Sequence, residues 1–460
     1  MKCSLFSNTK YQYGPSCAYK ARELDNNVPH SVLVYYPLGS GKTLSAIHAA
    51  RIFLDSNPDG KVCVLTTKSN IQTSWAANIR KYESTEDGDL ERIDVHNIDW
   101  WFSEENLPHY NNVIRSLASK SANGRAAYLD LPWRTLLKTD NKPFRSGVED
   151  NNRSFLDACV PRERFMLIVD ECQQYLNSTS HQQLVSKLCR HSYFTILMSA
   201  TPLNNSAQET GLCRMLRSRQ LEHRILYVPP QENMVSVNHR YIGAKMTPEE
   251  MSNYLHNKKD DAYLTKGRQL CNTETKFTKI LKYIGQKTVV YSFFRENGVG
   301  GFFRFLVEQR NATLKSKYHL TYEMNGRRVH VKVFSNAKDD LAWFNRQSSK
   351  IKMLLITSKA QMGISLMGVD TFHIMEPQWS YADEAQAVGR TTRMGSHKDG
   401  ETVTVFHWVS TVRNYESSDE IVHNSMHKKK IRTDRLLFHY AKIGSVYLQE
   451  LLNNFGIYSI

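Results

Sequence analysis

The sequence SVLVYYPLGSGKTLSA (residues 31–46) places a glycine-rich turn between a predicted strand and a predicted helix. The run SVLVYY (31–36) is apolar and rich in β-branched residues, as in a buried strand. The run TLSAIHAARIFLD (43–55) repeats large side chains at helical spacing. Because a helix N-terminus and exposed backbone N–H groups bind anions, this order predicts a phosphate-binding turn.

The turn also contains the residue types that nucleotide binding requires. Lys42 can reach the β- and γ-phosphates, and the hydroxyl of Thr43 can bind Mg²⁺. The full pattern G-x-x-x-x-G-K-[ST] has glycine where this chain has Tyr36, so a plain strand–helix turn is the alternative. The predicted nucleotide-contacting residues are Leu38, Gly39, Ser40, Gly41, Lys42 and Thr43.

An acidic pair in LIVDECQQ (167–174) favours the phosphate interpretation, because it ends a predicted buried strand. Asp170 is predicted to hold Mg²⁺, and Glu171 to orient and activate the attacking water. Gln173 is a candidate for coupling this site to the second lobe. A capped turn is the alternative for an Asp-Glu strand end, and the GSGKT sequence upstream argues against it.

Strand-like runs occur in two groups, which predicts the fold class. The runs of the first group are 31–36, 61–67, 165–171 and 193–201. The runs of the second group are 287–294, 329–335, 352–358, 371–377 and 402–408. Near-continuous apolar strands that alternate with helices predict mostly parallel sheets flanked by helices, so we expect an α/β protein with two lobes.

The polarity of the intervening segments predicts the domain boundaries. Lobe 1 is expected over residues 1–220, with a polar insertion at about 84–160. Helices over 221–285 are expected to bridge to lobe 2, which covers 286–460 and ends in short helices.

Composition favours a polyanionic partner and gives no indication of a membrane or zinc protein. The net charge is +15, and residues 271–460 hold 27 Lys and Arg against 17 Asp and Glu, a balance of +10. The eight cysteines form no C-x-x-C pair, which favours reduced thiols in a cytoplasmic compartment. No run approaches the ~20 apolar residues of a membrane helix.

The sequence EAQAVGRTTRMGSH (384–397) carries the chemistry predicted for the second lobe. Arg390 and Arg393 lie three residues apart, which predicts that they share a helix face and point at one γ-phosphate as arginine fingers. Gln386 lies four residues before Arg390 and is a candidate for the same site. The alternative is a basic helix on the surface.

These stretches, in this order, resemble the motifs of superfamily 2 helicases and ATPases. The resemblance covers YYPLGSGKT, TTKSNIQTSW (66–75), DECQ, MSATPLNN (198–205), VVYSFFRENGVGGF (289–302), ITSKAQMGISLMGVD (356–370) and QAVGRTTRMGSH. It implies two RecA-like lobes, with ATP and Mg²⁺ as cofactors. Gln173 replaces the histidine that is usual in the second motif.

The resemblance implies further site residues. Gly363 and Ser365 are expected near the nucleotide, and Gln12 is a candidate to clamp the adenine. The expected nucleic-acid contacts are Thr66, Thr67, Lys68, Ser292 and Phe293, with Ser199 and Thr201 coupling the nucleotide site to the nucleic-acid groove. A structural role is the alternative for each of these small residues.

Four stretches resemble the helicase-like nucleoside triphosphatases of large cytoplasmic DNA viruses, of the poxvirus nucleoside triphosphate phosphohydrolase and early transcription factor type. They are VYSFF (290–294), GIS (363–365), EPQWS (376–380) and GRTTRMGSH (389–397). The resemblance implies a DNA-dependent ATPase that translocates on DNA in viral transcription, with DNA a more expected ligand than RNA. It also implies a viral RNA polymerase or other transcription protein as partner, and a cytoplasmic viral factory or the virion as location. The alternatives are an ATP-gated nucleic-acid clamp without productive hydrolysis and a true duplex-unwinding helicase.

Overall fold

The computed structural model divides the chain into two compact units. One unit comprises Met1–Pro37, Gly41–Pro229 and Leu436–Ile460, and the other comprises Leu38–Ser40 and Pro230–Arg435. The residues that the structure describes are 10–37, 39–67, 75–86, 90–98, 164–176, 179–219, 221–229, 235–258, 263–335, 337–358, 364–392, 395–398 and 401–455.

The first unit is built on a six-stranded parallel sheet in the order β3-β2-β4-β5-β1-β6. Its strands are β1 (Ser31–Tyr35), β2 (Lys61–Leu65), β3 (Ile93–His96), β4 (Phe165–Asp170), β5 (Phe194–Ser199) and β6 (Ile225–Tyr227). Its helices are α1 (Gly14–Leu24), α2 (Lys42–Ser56), α3 (Ala76–Glu86), α4 (Thr179–His191) and α5 (Glu209–Met215).

Alternate residues of the central strands enter two separate cores, one on each face of this sheet. In β1, Val32 and Val34 enter one core and Leu33 enters the other. Burial on both faces explains why these strands read as continuous apolar runs in the sequence.

The second unit has an eight-stranded sheet in the order β7-β14-β13-β8-β12-β11-β10-β9, parallel from β7 to β11. Its strands are β7 (Ser236–Lys245), β8 (Lys287–Ser292), β9 (Thr313–Ser316), β10 (His319–Met324), β11 (Arg327–Val333), β12 (Ile351–Thr357), β13 (Thr371–Ile374) and β14 (Thr402–Thr411). Its helices are α6 (Pro248–Asn257), α7 (Thr265–Leu270), α8 (Glu274–Ile280), α9 (Gly300–Gln309), α10 (Ala337–Asn345) and α11 (Tyr381–Val388).

The long final helix, α12 (Ser418–Asn454), belongs to the second unit up to Arg435 and to the first unit from Leu436 onward. Leu448 and Leu452 of its last turns join the core on one face of the first sheet. The hydroxyl of Tyr440 donates to Glu209 at 2.8 Å. A single long helix thus replaces the short C-terminal helices predicted from the sequence.

Two antiparallel hairpins extend the edge of the second sheet. Strand β10 pairs antiparallel with both β9 and β11, and β11 then joins the parallel part of the sheet through β12. The turn between β10 and β11 contains Asn325 and Gly326, both with positive φ (52° and 71°). Two consecutive left-handed residues suit a tight two-residue hairpin turn, and Asn-Gly is the favoured pair for it.

The structure confirms the α/β class, the two sheets and all nine predicted strands. The prediction of bridging helices over 221–285 is wrong in part, because Ser236–Lys245 forms the edge strand β7 of the second sheet. The predicted insertion at 84–160 contains strand β3, and its residues 87–89 and 99–160 lie outside the described part of the chain. None of the described helices is long and apolar enough to cross a membrane.

Candidate functional site

The loop after β1 has the backbone geometry of a phosphate-binding turn. Gly39 and Gly41 have φ angles of 79° and 83°, a region that strongly favours glycine, and α2 begins directly after them at Lys42. The ammonium Nζ of Lys42 donates to the carbonyl oxygens of Tyr36 and Pro37 at 3.1 and 3.0 Å. The lysine therefore spans the loop whose backbone N–H groups would receive a phosphate.

The side chain of Gln12 lies against this loop. A Cβ atom at position 41 would collide with Nε2 of Gln12, so only glycine fits there while Gln12 keeps its place. Gln12 belongs to the 3₁₀ turn Lys10–Tyr13 that precedes α1. This placement agrees with its candidacy as an adenine clamp, which stays a prediction.

Tyr36, the departure from the glycine pattern, has a structural explanation. Its ring is buried in the core of the first unit, and its hydroxyl donates to the carbonyl of Tyr11 at 2.8 Å. A Cβ at Gly14 would lie 2.6 Å from this hydroxyl, so Gly14 makes room for it. Tyr36 thus ties the turn that carries Gln12 to the end of β1.

Asp170, at the end of β4, has one carboxylate oxygen fixed by two donors. Its Oδ2 accepts from Oγ1 of Thr66 at 2.9 Å and from Nε1 of Trp75 at 3.0 Å, and all three residues are buried. Its Oδ1 accepts no side-chain hydrogen bond within the part of the chain that the structure describes. Oδ1 of Asp170 and the hydroxyl of Thr43 are suitable ligands for Mg²⁺. This ion prefers oxygen ligands and usually takes only one or two of them from the protein.

The same contact corrects the prediction for Thr66. Its side chain is 1% exposed and its hydroxyl is committed to Asp170, so this group cannot reach a nucleic-acid phosphate. Thr67, the next residue, is half-buried. Lys68 lies outside the described residues.

A chain of hydrogen bonds links the second and third motifs. Nε2 of Gln173 donates to Glu171 at 2.8 Å, and the hydroxyl of Ser199 donates to Oε1 of Gln173 at 2.7 Å. The backbone N–H of Thr201 donates to the Ser199 hydroxyl at 2.9 Å. Glu171 has a φ of 50°, a strained conformation for a residue with a side chain, and such strain concentrates at functional sites.

The parallel sheet explains why these groups lie together. Strands β2, β4, β5 and β1 are neighbours in that order, and their carboxyl ends form one edge. Tyr35 pairs with Ser199, and Asp170 pairs with Met198. Lys42, Asp170, Glu171 and Ser199 therefore follow adjacent strands, at the edge where open α/β sheets bind ligands.

The arginine region of the second unit differs from the prediction. Helix α11 contains Gln386 but ends at Val388, so Arg390 lies in the following turn. The backbone N–H of Arg390 donates to Ala387 at 3.3 Å, and its carbonyl accepts from Leu366 at 3.0 Å. The prediction of a helix face shared with Arg393 is therefore wrong for Arg390.

Leu38, Gly363 and Arg393 lie outside the described part of the chain, so their roles stay predictions. Ser365 is described, and its carbonyl accepts a hydrogen bond from the side chain of Asn345 at 3.0 Å.

The fourth motif lies against a buried acid, Glu376, that the sequence analysis did not identify. The hydroxyl of Ser292 donates to the carboxylate of Glu376 at 2.9 Å, and both residues are fully buried. This contradicts the prediction that Ser292 contacts nucleic acid. Burial raises the pKa of Glu376, although Lys276 and Arg268 nearby oppose that rise. Phe293 is 48% exposed, as a nucleic-acid contact requires.

Comparison with protein families agrees with this division of the chain. Residues 9–204 match the family described as type III restriction enzyme, res subunit. Residues 274–395 match the family described as helicase conserved C-terminal domain. The first match contains the loop, Asp170 and Glu171, and the second contains Arg390.

Similar proteins are found among viruses and plasmids. Protein R563 of Acanthamoeba polyphaga mimivirus, whose name proposes an ATP-dependent RNA helicase, is 34% identical over 27% of this chain and 23% of its own length. An uncharacterised helicase of killer plasmid pGKL-2 from Kluyveromyces lactis is 26% identical over 51% of this chain and 44% of its own length. The solved helicase domain of Pyrococcus furiosus Hef is 12% identical, with a TM-score of 0.46 over 90% of this chain and 97% of that chain.

The chain spans less than half the length of these two relatives. Neither relative specifically supports the poxvirus subgroup within the predicted family. The two family matches occur in the order that the predicted superfamily implies.

Proposed function

We propose that this chain is a nucleic-acid-stimulated ATPase that translocates along its nucleic acid. The observation that carries the proposal is the arrangement at one edge of the first sheet. The Gly39–Lys42 loop and the acids Asp170 and Glu171 follow strands that are nearly adjacent, and hydrogen bonds continue from Glu171 to Ser199.

Each residue has a distinct chemical task in this proposal. The backbone N–H groups at the start of α2 and the Lys42 ammonium bind the β- and γ-phosphates of ATP. Thr43 and Asp170 would hold Mg²⁺, which neutralises charge on the transferred phosphoryl group. Glu171 accepts the proton of the attacking water, which adds to the terminal phosphorus as the bond to ADP breaks.

The bonds from Glu171 through Gln173 to Ser199 make the ATPase responsive to nucleic acid. A shift of the segment after β5 would alter the Ser199 bond, and through Gln173 it would reorient Glu171. Hydrolysis would then be slow until nucleic acid sets this segment in its productive position.

The nature of the nucleic acid is a separate part of the proposal. The net charge of +15 supports a polyanionic ligand. The viral motif resemblance favours DNA, whereas the mimivirus relative is named for RNA. We propose DNA as the primary ligand and viral transcription as the setting.

Steady-state ATP hydrolysis in saturating single-stranded DNA, duplex DNA or RNA tests this proposal. We expect stimulation by at least one nucleic acid, and most by single-stranded DNA. Glu171→Gln should bind ATP with Mg²⁺ and lose most turnover, whereas Lys42→Ala should lose nucleotide affinity. A Glu171→Gln protein with full turnover would remove the proposed base, and a rate indifferent to every nucleic acid would remove the motor function.

Nucleic-acid binding and strand-displacement measurements separate the proposal from its alternatives. An ATP-gated clamp would bind nucleic acid more tightly with ATP and show no stimulated turnover. A duplex-unwinding enzyme would release a labelled strand from a partial duplex, whereas a translocase without unwinding would displace only a bound protein block.

A further inference from the structure

One face of the sheet formed by β9 to β12 carries an unusual concentration of positive groups. Neighbouring strands pair Glu323 with Arg328 and His319 with Lys332, and they pair His330 with Lys352. Side chains of paired and alternate residues share a face. We call the following set the cationic face: Lys315, His319, Arg328, His330, Lys332 and Lys350.

Few carboxylates balance these groups. Arg328 pairs with Glu323 at 3.0 Å, and both side chains are well exposed, so the pair is weak. Lys332 pairs with Asp340 of α10 at 3.4 Å. Among the described residues, Lys315 and Lys350 have no carboxylate within ion-pair distance.

Burial and nearby cations lower the pKa values of both histidines of the cationic face. The pKa of His330 is lowered by burial and by the cations Lys350, Arg328, Lys352 and Lys315. The pKa of His319 is lowered by burial and by Lys332, His330 and Lys315, with Asp340 opposing. Positive groups on three strands and the segment before β12 thus repel one another here.

Core packing and edge protection explain only part of this arrangement, in which His319 and Lys332 lie against the ring of Trp343 on α10. The core beneath the hairpins uses the opposite face, through Leu320, Tyr322 and Val331. Lysines on an edge strand commonly prevent aggregation, which accounts for Lys315 on β9. Arg328 and His330 lie on the interior strand β11, where this explanation fails, and like charges across paired strands destabilise a sheet.

Lys352 lies on the same face but has a structural role. It is 3% exposed, and its Nζ donates to the carbonyls of Trp343 and Arg346 at 2.7 and 2.6 Å, at the end of α10. Burial, together with Lys287, Arg346 and Lys350, lowers its pKa to about 8. Lys315, Arg328 and Lys350 are instead exposed, with their charges available to a ligand.

We propose that the cationic face binds the phosphate backbone of a nucleic acid, as a site additional to the helicase motifs. The inference rests on the proposed function, because it assigns a second contact for the same ligand. Phosphates are the partner whose repeated negative charge matches several cations spread over neighbouring strands. The hairpin turn at Asn325 and Gly326 holds these strands in a fixed relation.

The test compares two triple variants that remove equal charge. Lys315→Gln, Arg328→Gln and Lys350→Gln alter the cationic face, and all three side chains are exposed. The matched control carries Lys245→Gln, Lys282→Gln and Arg432→Gln, three exposed residues of the same unit away from this face. Both variants should fold, because no core residue changes.

Binding of a fluorescent single-stranded DNA, and of the matching RNA, is measured without nucleotide over a range of salt. We expect the cationic-face variant to bind at least about tenfold more weakly at low salt, with a salt slope smaller by about 0.7 for each lost phosphate contact. The control should lose much less affinity. Equal binding and equal slopes for the two variants would overturn the inference.

The result distinguishes this inference from the proposed function. If the unsubstituted protein is stimulated by nucleic acid but both variants bind alike, only the additional site is wrong. If the unsubstituted protein neither binds nucleic acid nor is stimulated by it, the additional site and the proposed function are both wrong.

A pH series adds a readout that loss of folding would not imitate. A bound polyanion raises the pKa of His319 and His330, so binding takes up protons and affinity should rise as pH falls from about 7.5 to about 6. The rise should be smaller in His319→Gln/His330→Gln. An identical pH dependence in that double variant would remove the histidines from the site.

Discussion

The indole Nε1 of Trp75 donates a hydrogen bond to Oδ2 of Asp170 at 3.0 Å, inside the core of the first unit. Trp75 directly precedes α3, and Asp170 ends β4, so the bond joins a helix to the proposed Mg²⁺ ligand. Thr66 holds the same oxygen. Together the two donors orient the carboxylate, leaving Oδ1 for the metal.

Trp75→Phe should therefore weaken Mg²⁺ dependence without abolishing the fold. Phenylalanine fills most of the volume but cannot donate to Asp170, so Thr66 alone is left to orient the carboxylate. We expect the Mg²⁺ concentration for half-maximal ATP hydrolysis to rise about tenfold, the size of one lost hydrogen bond to a charged group.

Trp408→Phe is the matched control, because it also removes a buried indole donor, 3.1 Å from His373 in the second unit. It should cost stability and leave the Mg²⁺ dependence unchanged. Equal Mg²⁺ dependence in Trp75→Phe and the unsubstituted protein would show that the bond has no effect on the metal site.

Ser199→Ala should uncouple hydrolysis from nucleic acid. The change removes the donor to Gln173 and the acceptor for Thr201, so the connection between Glu171 and the third motif is broken. We expect ATP affinity and unstimulated turnover to stay within about twofold, while nucleic-acid stimulation falls about tenfold or more.

Ser192→Ala controls for the loss of a buried hydroxyl in the same unit, because its bonds to Cys189 and Thr195 lie away from the site. It should keep full stimulation. Normal stimulation in Ser199→Ala would mean that the hydrogen-bonded chain does not transmit the signal.

Tyr36→Phe should reduce selectivity for the base of the nucleotide. The variant keeps the buried ring but loses the bond to the Tyr11 carbonyl, which fixes the turn that carries Gln12. We expect KM for ATP to rise several-fold and KM for GTP to change little, with Gln12→Ala showing the same pattern more strongly. Parallel changes in both KM values would indicate a general loss of nucleotide binding.

Central strands such as β4, β5 and β12 were predictable because burial of both faces makes them near-continuous apolar runs. Strand β11 was predictable from alternation instead, with Val329 and Val331 buried and Arg328 exposed. The missed strand β7 lies at a sheet edge, and its polar sequence SVNHRYIGAK is mostly exposed. The missed hairpin had a usable signal, the Asn325–Gly326 pair before a predicted strand.

The site was predictable where residue types suited to nucleotide chemistry directly follow a predicted strand, as for Lys42, Asp170 and Glu171. The roles of Thr66 and Ser292 were not, because each hydroxyl is directed to a buried carboxylate more than 80 residues away in the chain. Small hydroxyl residues after a strand have the same sequence signature whether they face a ligand or a buried acid.

Arg390→Ala should slow hydrolysis strongly while ATP binding persists. We propose that its guanidinium stabilises charge on the transferred phosphoryl group, an effect worth about 10³-fold or more in rate. Arg390→Lys should restore little, because lysine lacks the fork that binds two oxygens. Single-turnover hydrolysis and nucleotide binding separate the two effects, and a normal single-turnover rate in Arg390→Ala would exclude this role.

His373 should make the second unit sensitive to acid. Its ring is fully buried and stacks against Phe406 and Trp408, its Nδ1 accepts from Trp408, and burial lowers its pKa to about 3. The folded protein therefore keeps His373 neutral, whereas the unfolded chain binds a proton below about pH 6.5. Stability is lost as pH falls through that value, by about 2 kcal/mol between pH 7.5 and pH 5.

Urea unfolding of the unsubstituted protein and of His373→Gln at both pH values measures this contribution. Glutamine keeps an acceptor for Trp408 but cannot titrate, so the variant should be less stable at pH 7.5 and lose about 2 kcal/mol less on acidification. His256→Gln, at an exposed position in α6, should leave the pH dependence unchanged. If His373→Gln loses as much stability between the two pH values as the unsubstituted protein, the acid sensitivity arises from other groups.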